Sequence, residues 1–177
     1  ALAYAQAAMA DVPAEALWER RFGSTQIRLR KRYQLVPRGV AVCFACATFP
    51  TWNAYPAMLA SLATGNPVIV KPHPTAILPM ALAVRTFREV IAGAGFPPDL
   101  VTLCVDTVEA PAGKLLVKHP QTAIVDFTGS ARFGSWVEAN AHPALCYSET
   151  SGVNTVVVDS VDQLEPVIRS LATTMSL

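Results

Sequence analysis

The feature that most constrains the fold is a series of short, wholly apolar runs that alternate with segments of helical periodicity. Each run has the length of a strand and is rich in β-branched residues. A run without polar positions is typical of a strand buried on both faces. Such strands, alternating with helices, form βαβ units in which a parallel sheet is covered on both sides. The predicted strands are 40–46, 67–70, 100–105, 122–127 and 155–158.

The fold class that follows is α/β: a doubly wound, mostly parallel sheet with helices on both faces, as in Rossmann-like nucleotide-binding domains. Residues 39–177 form this predicted domain. Residues 1–38 precede it, with a predicted helix over 1–22, broken near Pro13, and then an edge or oligomerisation strand over 26–35. The helices predicted for the larger domain are 54–63, 76–94, 108–118, 131–141 and 161–174.

Charge argues against two classes of partner. The formal net charge is +1, so no overall field attracts a polyanion. Seven of the 14 basic residues lie between Arg20 and Arg38, where a solvent-facing strand edge explains them without a nucleic acid. No side chain between Arg38 and Lys71 carries a charge, but prolines, a glycine and asparagines interrupt this stretch. A bilayer would leave those breaks unsatisfied, so we expect neither a nucleic-acid nor a membrane partner.

The cysteines favour a reducing compartment. Four in a chain of 177 residues do not make a disulfide framework, so a cytoplasmic location is expected. Cys43 and Cys46 form a C-x-x-C pair inside a predicted strand, whereas Cys104 and Cys146 stand alone. We therefore expect buried structural thiols and no metal site. A redox or metal module is the alternative, and it requires these thiols to be exposed and reactive.

Ligands of a doubly wound sheet bind beyond the carboxyl ends of its strands, so the residues after each run are the candidate site. In one of these segments Gly129 and Ser130 open a strand-to-helix turn, and Gly134 follows Gly129 by five residues. Free N–H groups and the dipole at such a helix start suit a diphosphate, although an ordinary turn explains the same residues. The segments that follow the runs are 48–53, 71–75, 128–134 and 148–152.

Other side chains at this edge also have two explanations each. Lys71 ends an otherwise uncharged strand, where it meets either a ribose or phosphate oxygen or simply water. Asn53 is able to donate to an oxyanion in carbonyl chemistry or to cap a helix. Glu149 suits a general base if it is half-buried and has no such role in an exposed loop. His73 is the histidine at the expected ligand edge, because His119 and His142 lie in predicted surface loops.

In chain order, these motifs match one family. The succession is Pro37-Arg38-Gly39-Val40, Thr51-Trp52-Asn53, Gly65-Asn66-Pro67-Val68-Ile69-Val70-Lys71-Pro72, His119-Pro120, Phe127-Thr128-Gly129-Ser130 with Gly134, and Glu149 with Gly152. From about Pro37 to the end, it resembles the aldehyde dehydrogenase superfamily. Within that superfamily, residues 71–74 and 149–154 look most like the phenylacetic-acid-degradation branch.

The resemblance implies an enzyme that oxidises an aldehyde to an acid with NADP or NAD. It implies that Asn53 helps to form an oxyanion hole, that Lys71 contacts the adenosine ribose and that Glu149 is the general base. The branch implies a CoA-linked semialdehyde as substrate, and the family implies a homo-oligomer. The other cofactor-binding residues that it implies are Thr51, Trp52, which would line the cleft, His73, Pro74, Gly129, Ser130, Gly134 and Gly152.

Two departures from the family pattern matter. The family often has an acidic residue three positions after the lysine; here Pro74 stands there, so nothing at that position repels a 2′-phosphate and NADP is at least as plausible as NAD. The usual Glu-Leu-Gly-Gly pattern is Glu-Thr-Ser-Gly after Glu149. This leaves the positioning of that carboxylate open.

The family's nucleophilic cysteine is expected a few dozen residues after Glu149, which places it past Leu177. None of the four cysteines occupies the matching place. The chain is therefore predicted to be the cofactor-binding portion of a dehydrogenase, inactive alone. A non-catalytic nucleotide-binding or scaffold protein on the same fold is the alternative.

Overall fold

The computed structural model describes residues 3, 7, 10, 11, 14–34, 36–153 and 155–175. Two sheets are present in these ranges, a two-stranded antiparallel hairpin and a five-stranded parallel sheet. The hairpin strands are β1 (Glu15–Phe22) and β2 (Thr25–Arg32). The elements that follow are β3 (Val40–Phe44), α1 (Pro50–Ala63), β4 (Val68–Lys71), α2 (Ile77–Gly93), a 3₁₀ turn (Pro98–Leu100), β5 (Val101–Leu103), α3 (Gly113–Lys118), β6 (Thr122–Gly129), α4 (Ala131–Asn140), β7 (Leu145–Thr150) and α5 (Leu164–Met175).

The five-stranded sheet has the strand order β5-β4-β3-β6-β7. From β3 the chain winds outward through β4 to β5, then returns to the other side of β3 and continues through β6 to β7. All neighbouring strands are parallel, so their carboxyl ends lie at one edge of the sheet. The winding direction reverses between β3 and β6, which opens a crevice between the loops that follow them. The predicted α/β doubly wound fold is confirmed.

Alternation along β3 divides the core into two layers. Ala41, Cys43 and Ala45 face the layer formed with α1 and α2, in which Met58 and Met80 are fully buried. Val42 and Phe44 face the opposite layer, formed with α3 and α4. Because both faces of β3 are buried, none of its positions suits a polar side chain, and this explains the continuous apolar run in the sequence.

Asn66 fixes the start of the sheet against the end of α1. Its side chain is buried, and Oδ1 accepts hydrogen bonds from the backbone N–H of Arg38 at 2.7 Å and of Gly39 at 3.2 Å. Nδ2 donates to Thr64 Oγ1 at 2.9 Å. One amide therefore joins the segment that enters β3 to the turn that enters β4, and it sets where both strands begin.

The prediction of a helix reaching Phe22 is wrong, because residues 15–22 form β1. Gly23, with φ of +59°, closes a two-residue turn, and Glu15 to Phe22 pair with Arg32 to Thr25. Glu19 binds Arg28 and Glu15 binds Arg30, each at 2.8 Å, so cross-strand charge pairs compete with local helix formation. The predicted strand over 26–35 is confirmed for most of its length as β2, with Leu35 outside the described residues. Of the predicted N-terminal helix, residues 3, 7 and 10 are helical; its other positions before 14, except Asp11 in a turn, lie outside the described residues.

At the other end, the prediction of a strand over 155–158 is wrong. These residues form no strand, and Val156, Val157 and Val158 are 66%, 85% and 46% exposed. β7 (Leu145–Thr150) occupies the sheet edge instead. Because β7 has one neighbouring strand and alternates exposed with half-buried residues, its sequence lacks the continuous apolar run that revealed the inner strands.

Helix ends also shift from the predicted positions. The helix predicted over 108–118 begins at Gly113, after Pro111, and the one predicted over 54–63 begins earlier, at Pro50. Among the described residues, no helix is long and apolar enough to cross a bilayer.

Replacing Asn66 with alanine is expected to lower the free energy of unfolding by about 2 kcal/mol, because it leaves the N–H groups of Arg38 and Gly39 without their acceptor. Asn140→Ala is the matched control, since among the described residues Asn140 Nδ2 donates to Trp136 O within its own helix and to no other acceptor. Urea unfolding followed by circular dichroism measures both. Equal losses for the two variants would contradict this role of Asn66.

Candidate functional site

A cleft of about 860 Å³ opens at the carboxyl edge of the sheet. Its walls come from the segments that follow β3, β4, β5 and β6 and from the end of β7, so it lies where the winding direction reverses. The predicted site residues that line it are Asn53, Lys71, His73, Pro74, Gly129, Ser130 and Glu149. The structure thus brings together on one cleft seven of the eleven residues proposed from the sequence.

Four predicted residues lie elsewhere. Trp52 is 79% exposed and does not line the cleft, and neither does Thr51, which precedes it in α1. Gly152 follows β7 and is exposed. Gly134 is buried in α4, where a β-carbon would collide with Thr150 Cγ2, so it allows close packing of helix on strand. The expectation that Trp52 lines the cleft is therefore not met.

Three phenylalanines form the apolar floor of the cleft. Phe44 lies at the end of β3 and Phe127 near the end of β6, and these two residues are direct cross-strand partners. Phe133 of α4 completes the group, with ring centroids 6.0 Å from Phe44 and 5.4 Å from Phe127 in edge-to-face contact. Sequence reasoning did not single out these rings, because their convergence depends on the pairing of β3 with β6.

The start of α4 presents backbone donors to the cleft. Ser130 caps this helix, and its Oγ accepts the N–H of Phe133 at 3.4 Å. The first turn contains no acidic residue, so the N–H groups of Ala131 and Arg132 and the helix dipole favour an anion there. Gly129, directly before the cap, lines the cleft, and a β-carbon on it would lie 2.8 Å from the Phe127 ring.

Lys71 is almost completely buried, and its ammonium group is already paired with a carboxylate. Its side chain is 11% exposed, and Nζ lies 2.6 Å from Asp106 Oδ1, whose side chain is 3% exposed. The other oxygen of Asp106 accepts the N–H of Ala112 at 2.9 Å. Asp106 was missed at the sequence level, although it directly follows a predicted strand (100–105) and could have been found by the same rule as the other edge residues.

Asn53 approaches a thiol. Nδ2 of Asn53 donates to Cys46 Sγ at 3.6 Å, and the N–H of Phe49 donates to the same sulfur at 3.4 Å. Cys46 follows β3 and lines the cleft, so the expectation that it lies buried inside a strand is wrong. Cys43 is buried as expected, and burial raises the pKa of its thiol far above the usual value. In the described part of the chain, no three His, Cys, Asp or Glu side chains are grouped to hold a metal ion.

Glu149 lies on β7 with its side chain exposed, and not in a half-buried loop. A second carboxylate lies near it on the neighbouring strand: Asp126, whose cross-strand partner is Tyr147. Burial of Asp126, together with the negative charge of Glu149, raises the pKa of Asp126 to about 6. Two carboxylates, Asp126 and Glu149, therefore occupy this face of the β6–β7 pair.

Comparison with known proteins agrees with this arrangement. A family model described as "Aldehyde dehydrogenase family" matches residues 4–176. The chain belongs to the aldehyde dehydrogenase family. The superfamily resemblance of the sequence motifs is confirmed, while the phenylacetic-acid branch stays a prediction.

Relatives within this family are longer proteins. The 1-pyrroline-5-carboxylate dehydrogenase of Bacillus licheniformis is 33% identical over 157 residues, which cover 81% of this chain and 28% of that protein. The 1-pyrroline-5-carboxylate dehydrogenase 2 of Bacillus subtilis is 31% identical, with the same coverage. The chain thus spans about 28% of the length of these curated relatives.

Solved structures of the family share the fold. The NAD-dependent aldehyde dehydrogenase from Burkholderia multivorans is 44% identical, with a TM-score of 0.88; the match covers 99% of this chain and 32% of that one. The glyceraldehyde-3-phosphate dehydrogenase GapN of Methanocaldococcus jannaschii, solved with NADP, is 22% identical, with a TM-score of 0.56 over 66% of this chain and 26% of that one. The first of these enzymes is NAD-dependent and the second was solved with NADP, so both predicted cofactors occur among the structural neighbours.

The Asp126 carboxyl is expected to titrate near pH 6, and Glu149→Gln is expected to lower that pKa because it removes the neighbouring negative charge. Since the folded chain binds this proton more tightly than the unfolded chain, Asp126 makes stability fall as pH rises from about 4 to about 6. Carboxyl NMR and urea unfolding across this range measure the two effects.

In Asp126→Asn the fall in stability between these pH values is expected to shrink. Asp162→Asn, at an exposed residue, is the control and should leave it unchanged. An Asp126 pKa near 4 in the native chain would contradict the interpretation.

Proposed function

We propose that this chain forms the cofactor-binding part of an NAD- or NADP-dependent aldehyde dehydrogenase that oxidises an aldehyde to an acid. The observation that carries the proposal is the convergence of Asn53, Lys71, Gly129, Ser130 and Glu149 on one cleft at the switch point of the sheet. A non-catalytic scaffold does not require an amide, a lysine and a carboxylate to meet there. The scaffold alternative therefore stands second.

The residues present fit a dinucleotide. The start of α4 offers uncommitted N–H groups and a favourable dipole for the diphosphate, at Ser130 and the residues after it. Lys71 pairs with Asp106 but retains further N–H donors for ribose oxygens, and both side chains line the cleft. The volume of about 860 Å³ suits a ligand of this size.

The bound nicotinamide nucleotide would supply the hydride acceptor. Asn53 is proposed to donate its side-chain amide to the oxygen of the aldehyde as negative charge develops on it. That amide now donates to Cys46 Sγ, and both residues line the cleft. Asp106, the other carboxylate among the cleft-lining residues, is paired with Lys71. Glu149 is therefore proposed as the base that accepts a proton from water, although it is exposed and lacks the half-burial expected of such a base. Its position on a strand fixes its backbone more firmly than a loop would.

The nucleophile is proposed to be a cysteine that is not among the 177 residues. Cys43 is a poor candidate, because burial favours its neutral thiol. Cys46 is the thiol that lies near Asn53, and it is therefore the one that an activity test has to eliminate.

The substrate proposal rests on the sequence motifs alone. Residues 71–74 and 149–154 support a semialdehyde of aromatic catabolism, carried on CoA, while Asn154 lies outside the described residues. A cytoplasmic location is likewise proposed from the sequence alone, on the basis of its cysteine content. The division of the chain at residue 38 also stays a prediction, with the hairpin on its N-terminal side as support.

Self-association of the full-length protein is proposed from the hairpin. One face of it carries the ion-paired Glu15 and Glu19, whereas the other exposes large apolar side chains to solvent. These side chains are Trp18, Phe22, Ile27, Leu29 and Tyr33, which are 36% to 50% exposed. Such a face is typical of an interface.

Analytical ultracentrifugation of the full-length protein should find oligomers. Leu29→Asp is expected to weaken them, whereas Leu78→Asp, the control at another exposed leucine, is not. Monomers at all concentrations would refute this proposal.

A negative charge added at the start of α4 is expected to weaken cofactor binding without destabilising the fold. Ala131→Asp should preserve or slightly raise stability, because a carboxylate suits the helix N-terminus, yet weaken NAD and NADP binding by about tenfold or more by repelling the diphosphate. Ser135→Asp, an equal charge change on the exposed side of α4, is the control. Isothermal titration calorimetry measures each constant. Unchanged affinity in Ala131→Asp would place the diphosphate elsewhere.

The 177 residues alone are expected to oxidise no aldehyde. The assay follows absorbance of the reduced nicotinamide with NAD or NADP and with propionaldehyde or phenylacetaldehyde. Cys46→Ser serves as the control, because turnover that this variant abolishes would make Cys46 the nucleophile and overturn the proposal of an outside cysteine.

A further inference from the structure

The Lys71–Asp106 pair is buried at the wall of the proposed cofactor cleft. Nζ and Oδ1 are 2.6 Å apart, and both side chains are almost fully shielded from solvent. Lys71 ends β4, and Asp106 follows β5, the neighbouring strand; the N–H of Cys104 donates to Val70 O at 2.8 Å and extends their pairing toward the cleft. The two charges therefore arise from adjacent strand ends.

Asp106 is held in place independently of Lys71. Its Oδ2 accepts the backbone N–H of Ala112 at 2.9 Å, which anchors the carboxylate to the segment that enters α3. Oδ1 accepts no regular hydrogen bond from any described residue, so its only close partner is the ammonium group. A carboxylate fixed in this way cannot turn aside when a ligand approaches Lys71.

The Lys71–Asp106 pair itself carries no net charge. The other charged or titratable groups on the cleft wall are His73, Lys114, Cys46 and Glu149. His73 Nδ1 contacts Thr75 Oγ1 at 2.8 Å, and Lys114 Nζ lies 5.2 Å from the centre of the Trp136 ring on α4. Neither forms an ion pair with a described carboxylate.

We propose that Asp106 makes the cleft select NAD over NADP. This inference rests on the proposed function, because it assumes that the adenosine ribose lies at Lys71. A 2′-hydroxyl adds no charge and is able to accept a hydrogen bond from the ammonium group while Asp106 keeps its own contact. A 2′-phosphate brings up to two negative charges next to a carboxylate that already neutralises the charge of Lys71.

Asp106 thus replaces, from another strand, the carboxylate that is missing at Pro74. The sequence alone favoured no discrimination against NADP, because Pro74 carries no charge. The structure supplies the negative charge from the end of β5 instead, at a position more than thirty residues further along the chain. An acidic residue at position 74 would be able to bind the ribose hydroxyls directly. The buried Asp106 would instead act through its charge, without binding the ribose.

Isothermal titration calorimetry of the native 177-residue chain with NAD and with NADP tests the inference directly. NAD is expected to bind at least about tenfold more tightly than NADP. Equal affinity, or tighter binding of NADP, would overturn the role of Asp106 and leave the proposed dinucleotide site intact. Binding of neither cofactor would overturn the proposed function, and the inference with it.

Asp106→Asn preserves the shape of the side chain and removes its charge. This variant is expected to reduce the NAD-to-NADP affinity ratio by about tenfold, mainly by tightening NADP. Asp99→Asn is the control, since Asp99 is exposed and binds Arg88 at 2.9 Å away from the cleft wall. A folded Asp106→Asn variant with the native ratio would refute the inference. If the variant does not fold, as judged by circular dichroism, the ratio of the native chain decides.

Discussion

The parallel pairing of β3 with β6 is the constraint on which the site depends. These strands are neighbours in space but are separated in sequence by three α-helices and two strands, so the chain departs from them in opposite directions. Their following loops cannot cover the sheet edge between them. The crevice is therefore a consequence of strand order, and Phe44 and Phe127, paired across it, supply its floor. Residues that are far apart in sequence meet here because every strand ends at the same edge.

Two features determine how charge is distributed in this crevice. The start of α4 attracts an anion through backbone N–H groups, while the buried lysine is matched by an acid from the next strand. Anion binding and charge selection are thereby assigned to different places. A ligand with negative charge in its middle is accommodated, and one with additional negative charge near Lys71 is disfavoured. Neither property depends on a flexible surface side chain.

The strands that are buried on both faces were predicted best from the sequence. The inner strands are continuous apolar runs, and several of the residues that follow them, including Asn53, Lys71 and Gly129, line one cleft in the structure. Elements stabilised by pairing were harder to predict. β1 has residues compatible with a helix, and only its match to β2 shows a strand. Asp106 becomes meaningful only when β5 is known to lie beside β4, since its partner is 35 positions away.

The outer edge of β7 has a consequence for how the chain can associate with other molecules. This strand bonds to β6 on one side, and no described strand borders the other, so a row of backbone donors and acceptors faces solvent. The valines that follow it are also exposed. Together they form an edge onto which an extended segment of another molecule can add as a further strand.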